Sequence, residues 1–347
     1  MGARTTHPHH TLNQLNNQSL QYLHLALAPS TRSNYTGAIR TYQAFCDHHR
    51  LPAYPPAEHT LILYVTHVAS YSSHGNIKLH TSAIKYFATV KGYYIDFTKF
   101  AKLYLVVRGI KRAQGKKFSL PPRQPITPQL LHTIQQNLFN SSRRYEDKVM
   151  LWAAITTAFY GFLRVSEYTS SHRTKFDPHT TLLISDVTIE GDVAHIVIKA
   201  SKTDPFRNGI TIHLAANTST LCPIAALKNF LPLHPTQHGP LFTYQDKKFL
   251  TRKELNVMLK STTNGLANTS SHSLRIGAAS TAAAMGCPRW LIQTMGRWAS
   301  DCFRTYIRVS IHTIINTSHI LSHCTDTITS SFDPYKQIRS NNNKRTE

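Results

Sequence analysis

The sequence predicts a mainly α-helical protein with a small antiparallel β-sheet, an α+β chain of two domains. Three observations carry this. Apolar residues recur at three- and four-residue spacing through most of the chain, as one face of an α-helix requires. That rhythm is interrupted by "DVTIEGDVAHIVIK" and "GITIHLA", short β-branched runs bounded by turn residues. Between the two helical regions lies "GKKFSLPPRQPITP", with four prolines within positions 121–128, where no helix can propagate.

Taken in order, residues 1–20 are polar and expected to be disordered, and residues 21–118 to form a helical domain. In "STRSNYTGAIRTYQAFCDHH", Ser30 or Thr31 is the expected cap, and Tyr35, Ile39, Tyr42 and Phe45 recur at helical spacing. The pattern returns at Leu61, Tyr64, Val65 and Val68, then at Ile77, Ile84, Phe87 and Val90, and last at Phe100, Leu103, Val107 and Ile110. Residues 119–127 read as a semi-rigid proline-rich spacer, and 128–335 as the second domain. That domain opens with Thr127-Pro128 as cap and first turn, followed by helices at about 128–138 and 143–160. Two strands then flank a Glu-Gly-Asp turn, and "ASKTDPFRNG" loops to a third. From position 222 the pattern is helical again, with Pro223, Thr251 and Pro288 near helix starts; the basic tail 336–347 is expected to be disordered.

Composition narrows the function. The 347 residues carry 39 Lys and Arg against 17 Asp and Glu, a net charge of +22, which favours a polyanionic partner, nucleic acid being the commonest soluble one. Lys99, Lys102, Arg108, Lys111, Arg112, Lys116 and Lys117 form a cluster without acidic counterparts, the expected track for DNA phosphates. No apolar run approaches the ~18 residues of a membrane span, and no apolar core of a signal peptide occurs in the first thirty residues. The five cysteines include no C-x-x-C pair and fit a reducing, intracellular setting. Neither Cys46-Asp47-His48-His49 nor His323-Cys324 has zinc spacing, so no metal is expected. A phosphate-cradling glycine loop and a carboxylate cluster for two-metal chemistry are both missing from the pattern.

One ordered set of residues carries chemistry: Arg164 in "YGFLRVSEY", Lys202 in the β-hairpin loop, His272 and Arg275 in "HSLR", Trp298 in "GRW", and Tyr306 flanked by arginines in a predicted helix. Singly, each has a plain reading as a capping, packing or solvated residue. Together they suit cleavage of a phosphodiester. Two permanently charged guanidiniums can clamp the non-bridging oxygens bidentately, and a tyrosine can attack phosphorus. A lysine can protonate the leaving oxygen, and a histidine can act as base or donor.

The set resembles the tyrosine recombinase (phage integrase) family over about residues 125–310, and the N-terminal helices are similar in kind to that family's core-binding domain. The wording "SKTDPFRNG" and "LIQTMGRWASDCFRTYIR" is most similar to recombinases of crypton- and DIRS-like mobile elements of eukaryotes. The resemblance implies an N-terminal core-binding domain and a C-terminal catalytic domain forming a C-shaped clamp on duplex DNA. It implies strand cleavage and rejoining through a 3′-phosphotyrosyl intermediate on Tyr306, without a cofactor. It also implies a homo-tetramer on two synapsed sites, and a nuclear location in a eukaryotic cell. Trp298 stands where most members have a second histidine, and Glu167 where the family places an acidic residue that orients an arginine. The eight positions from Trp298 to Tyr306 depart from the nine of many members. "IHTIINTSHILSHC", with Ile311, Ile314, Ile315, Ile320 and Leu321, is expected by the same analogy to dock on a neighbouring protomer. A type IB topoisomerase shares the chemistry, and a catalytically inactive DNA-binding protein shares the charge.

Overall fold

A computed structural model describes residues 10–115, 117–118, 121–202, 204, 206, 208–266, 268–309 and 311–323. The chain divides after Pro121 into two compact units.

The first unit is five helices: α1 (Leu12–Leu25), α2 (Pro29–His48), α3 (Glu58–Tyr71), α4 (His74–Val90) and α5 (Ala101–Gln114). Tyr42, Leu61, Tyr64, Val65, Val68, Ile77 and Ile84 fill its core, all from the apolar periodicity. Tyr42 and Tyr64 meet edge-to-face at 5.0 Å, and the Tyr64 hydroxyl is 2.6 Å from Nδ1 of buried His80, which satisfies two polar groups inside the bundle. Two expectations are corrected. Residues 12–20 are helical rather than disordered, because Thr11 and Gln14 close a reciprocal capping box that satisfies free N–H groups of the first turn. The cap of α2 is Ala28, not Ser30 or Thr31, since Pro29 occupies the first helical position, where its missing N–H costs nothing.

Of the basic cluster, Lys99 ends a short 3₁₀ turn, while Lys102, Arg108, Lys111 and Arg112 lie on α5 and Lys117 just beyond it. All six are exposed, whereas Leu103 is the buried anchor of α5. Lys116 lies outside the described residues, as do residues 1–9 and the tail 336–347.

In the second unit, α6 (Pro128–Phe139) and α7 (Tyr145–Tyr160) precede the short α8 (Val165–Tyr168). Strands β1 (Val187–Glu190), β2 (Val193–Ile198) and β3 (Ile210–Ala215) form one antiparallel sheet in the order β1-β2-β3, with His195 opposite both Thr188 and His213. Then come α9 (Pro223–Phe230), α10 (Arg252–Thr262), α11 (Ser271–Ala284), α12 (Arg289–Met295) and α13 (Ile311–His323). α7 is buried continuously from Val149 to Phe159 and packs on α9 and α11, so it is the central post of the unit. Ala194, Ile196 and Ile198 point from β2 into the same core, as the period of two demands.

Part of the proline-rich segment read as a semi-rigid spacer, 119–127, packs on the second unit. Ile126 is fully buried, its N–H donates to the Ser273 carbonyl of α11 at 3.0 Å, and the Gln124 N–H reaches the Asn268 carbonyl at 3.3 Å. Gly277 makes this approach feasible: a Cβ there would lie 1.8 Å from the Ile126 carbonyl oxygen. Among the described residues no helix is long and apolar enough to cross a membrane, and no three His, Cys, Asp or Glu side chains gather as a metal site would. On α13, Ile311, Ile314 and Ile315 are exposed; the side chains of Ile320 and Leu321 lie outside the description.

Candidate active site

Four segments of the second unit converge. The corner after α7 supplies Arg164 as the residue that opens α8, and Glu167 one turn later. The buried helix α11 supplies His272 and Arg275. The turn after α12 supplies Arg297 and Trp298, and a 3₁₀ helix, Asp301–Thr305, leads to Tyr306.

Glu167 lies at the centre. Its carboxylate is fully enclosed and accepts from the Arg164 N–H at 2.8 Å, from Nη1 of Arg164 at 3.0 Å and from Nη2 of Arg297 at 2.6 Å. Charge-assisted bonds of this kind are what make a buried carboxylate tolerable. Glu167 thus binds Arg164 and also a second arginine, Arg297, that the sequence reading did not select.

Arg275 is wholly buried. Its Nη1 donates to the Phe162 carbonyl and its Nη2 to the Gly296 carbonyl, while its guanidinium carbon stacks 4.3 Å from the Trp298 ring centroid and 5.6 Å from that of Tyr306. Burial, and then the nearby Arg164, push its pKa down. The two guanidiniums differ in setting: Arg164 keeps 15% side-chain exposure, and Arg275 is turned inward.

Trp298 is buried, meets Phe162 edge-to-face and leaves its indole N–H without a partner. Its ring covers Gly296, where a Cβ would fall 1.7 Å from a ring carbon, which explains the glycine of "GRW". His272 packs edge-to-face on Tyr306 at 5.1 Å. Its pKa is pushed down to about 4, by burial first and then by Arg123, Arg275, Arg252 and Arg164. The imidazole is accordingly neutral at pH 7.

Tyr306 is not inside an α-helix, as its arginine-flanked setting predicted, but at the end of the 3₁₀ turn. Two bonds hold this turn: Ser280 Oγ donates to the Tyr306 carbonyl at 3.1 Å and accepts from the Arg308 N–H at 2.9 Å. The buried Phe303 ring pins the turn from below. Lys202 is exposed on the loop between β2 and β3, beside the backbone bridge of Ser201 and Asp204, and no described contact joins it to the other candidates.

No protein-family model matches the chain, and no curated protein does. Solved structures do match. The Tn1549 transposon integrase in complex with transposon right-end DNA superposes with a TM-score of 0.56 at 13% identity, over 89% of this chain and 98% of that one. A lambda integrase dimer bound to a COC′ core site gives 0.55 at 14% identity, over 92% and 97%. The XerH site-specific recombinase bound to a palindromic difH substrate gives 0.55 at 15% identity, over 77% and 73%. The chain has the tyrosine-recombinase fold.

Within the tyrosine-recombinase fold, two features escaped the sequence reading. Arg297 is one; its signal was the unusual Gly-Arg-Trp wording itself. The other is an open recess of about 1300 Å³ beside α10, lined by Arg143, Arg144, His172, Arg173, Arg252 and Lys253 among others. These basic residues come from three separate segments, so no local charge run announced them.

Proposed function

We propose that this chain cleaves and rejoins DNA strands through a covalent 3′-phosphotyrosyl intermediate on Tyr306, as a site-specific recombinase or integrase. The observation that carries the reading is the set of groups around one tyrosine ring: neutral His272 at 5.1 Å, Trp298 at 4.9 Å and the Arg275 guanidinium at 5.6 Å.

The chemistry follows from these parts. The Tyr306 oxygen attacks the scissile phosphorus and its proton passes to His272. The bond from phosphorus to the 5′-oxygen breaks, and Lys202 protonates that oxygen from the hairpin loop. Arg164, held by Glu167, and Arg275, exchanged from its carbonyls onto the phosphate, neutralise the charge that builds on the non-bridging oxygens. The phosphotyrosyl bond conserves the energy of the broken one, so the freed 5′-hydroxyl of a partner strand can reverse the step without a nucleotide. The exposed cluster Lys99, Lys102, Arg108, Lys111, Arg112 and Lys117, together with Lys116 by sequence, provides a DNA track on the first unit, and the basic recess provides one on the second.

By analogy the protein works as a tetramer on two duplex sites, with the apolar face of α13 docking on a neighbour, and in the nucleus where the cell has one. Its wording is that of a mobile-element recombinase. Nicked suicide duplexes carrying the sequences that flank the coding region test this reading. The wild type should become joined to a DNA 3′-phosphate, leaving a 5′-hydroxyl. Tyr306→Phe, which removes one oxygen, should bind DNA and form no adduct. An adduct that persists in the Phe variant, or that maps to another tyrosine, overturns the assignment.

A further inference from the structure

Resting on that reading, we infer that Arg297 is a positioning residue that keeps Arg164 free to engage the scissile phosphate, by occupying the Glu167 carboxylate that would otherwise capture it. The problem is one of counting. Glu167 is fully enclosed and has two oxygens to satisfy. Oε1 takes one Nη of Arg164 at 3.0 Å, and Oε2 takes the Arg164 main-chain N–H at 2.8 Å and Nη2 of Arg297 at 2.6 Å. A guanidinium and a carboxylate left alone at this range close into a two-bonded fork, which is their strongest arrangement. Here Arg297 holds the second oxygen, so Arg164 is bound by one terminal nitrogen only and retains donors for a phosphate.

The surroundings fix Arg297 in that place. Its Nη1 also donates to the Gly161 carbonyl at 3.1 Å, and only 8% of its side chain is exposed against 15% for Arg164. Its backbone sits at φ 54°, a left-handed conformation that few side chains adopt, between Gly296 and the Trp298 ring that covers it. Of the two arginines on one carboxylate, the inner one anchors and the outer one reaches. Arg297 therefore touches neither substrate nor nucleophile; it acts through Glu167 on Arg164.

The test compares single-turnover cleavage by the full chain on two duplexes: one with an ordinary scissile phosphodiester, one with a methylphosphonate there, in which a methyl replaces a non-bridging oxygen and removes its charge. On the phosphodiester, Arg297→Ala should slow cleavage up to about 100-fold, the cost of a ~1 Å misplacement at a reacting centre, with DNA binding retained. On the methylphosphonate the wild type and the variant should converge, because the arginine's service to a charged oxygen is no longer needed. Adding Glu167→Gln to Arg297→Ala should restore part of the rate, since a neutral amide does not capture Arg164. If Arg297→Ala does not fold, as judged by its melting curve, Arg297→Gln takes its place in the same comparison. Equal slowing on both substrates, a double variant worse than the single, or an Arg297→Ala chain as fast as wild type overturns the role of Arg297 while leaving the proposed function standing. A wild type that joins to neither duplex overturns the proposed function, and this role with it.

Discussion

Gly277→Ala is the substitution that tests most directly how the second unit is assembled. The added Cβ would sit 1.8, 2.6 and 2.9 Å from the carbonyl oxygen, carbonyl carbon and nitrogen of Ile126. All three are backbone atoms, so no rotamer change relieves the clash, and the segment must lift from α11 by more than an ångström. Lifting exposes Ile126, now fully buried, and breaks its 3.0 Å bond to the Ser273 carbonyl. Re-exposing an isoleucine costs about 1.5–3 kcal/mol, and the lost hydrogen bond about 1 kcal/mol. The unit should therefore lose roughly 2.5–4 kcal/mol, large beside the ~5–15 kcal/mol of a whole domain. Urea unfolding of the full chain followed by tryptophan fluorescence isolates the effect, because Trp152, Trp290 and Trp298 all lie in the second unit. The fluorescence midpoint should fall with the slope unchanged. Trimming the neighbour with Ile126→Ala should not rescue it, since the obstacle is main chain. A midpoint indistinguishable from wild type would refute the packing argument.

Three further outcomes are expected. With a His272 pKa of about 4 against 6.5 in the unfolded chain, the unfolded state binds the extra proton first between those values, so stability falls as pH drops through that window. His272→Asn should flatten this slope, and the acid limb of wild-type cleavage should lie well below 6.5; a limb centred at 6.5 would contradict the buried, cation-flanked setting. Lys202→Ala should cleave ordinary DNA poorly and recover on a substrate with a 5′-bridging sulfur, whose thiolate departs without a proton; failure of that recovery removes Lys202 as the acid. Fragment 1–121 should bind duplex DNA with log K falling by about 0.9 per phosphate contacted for each decade of salt, and a flat response would reduce the α5 lysines and arginines to a solvated face.

Much of the fold was legible because it obeys local rules. The apolar repeats that placed Tyr42, Tyr64, Val68 and Ile84 on helix faces are the core of the first unit, and the β-branched runs are the three strands. His272, Arg275, Trp298 and Tyr306 pack against one another and Arg164 is bound to Glu167, whereas Lys202 lies on its loop with no described contact to them. What was illegible depends on contacts between distant segments. The register of Ile126 on α11 is set by a glycine 151 positions later in the sequence. The bond between Arg297 and Glu167 spans 130 positions and uses a left-handed backbone that no propensity favours. The 3₁₀ turn before Tyr306 owes its form to Ser280 and Phe303, which periodicity could not weigh. The helix at residues 12–25 has no buried residue, so an apolar-face criterion had little to read; its capping box was the available signal.

On the proposed function, the inward set of Arg275 turns phosphate binding into an exchange rather than an addition. Before a phosphate can use that guanidinium, the carbonyls of Phe162 and Gly296 must release it; Phe162 keeps Nη2 of Arg297 at 3.4 Å, while the Gly296 carbonyl loses its described side-chain donor. A buried group stranded in this way costs about 1–3 kcal/mol. A free phosphate or sulfate ion brings only its own charge to offset that loss. A phosphate within a duplex brings the many contacts of its neighbours along the basic surfaces, and their summed attraction can be spent on opening the site. On the proposed reading the enzyme thus tells polymer from buffer anion at its most enclosed cation, and a tyrosine with no duplex before it faces an arginine that is still occupied.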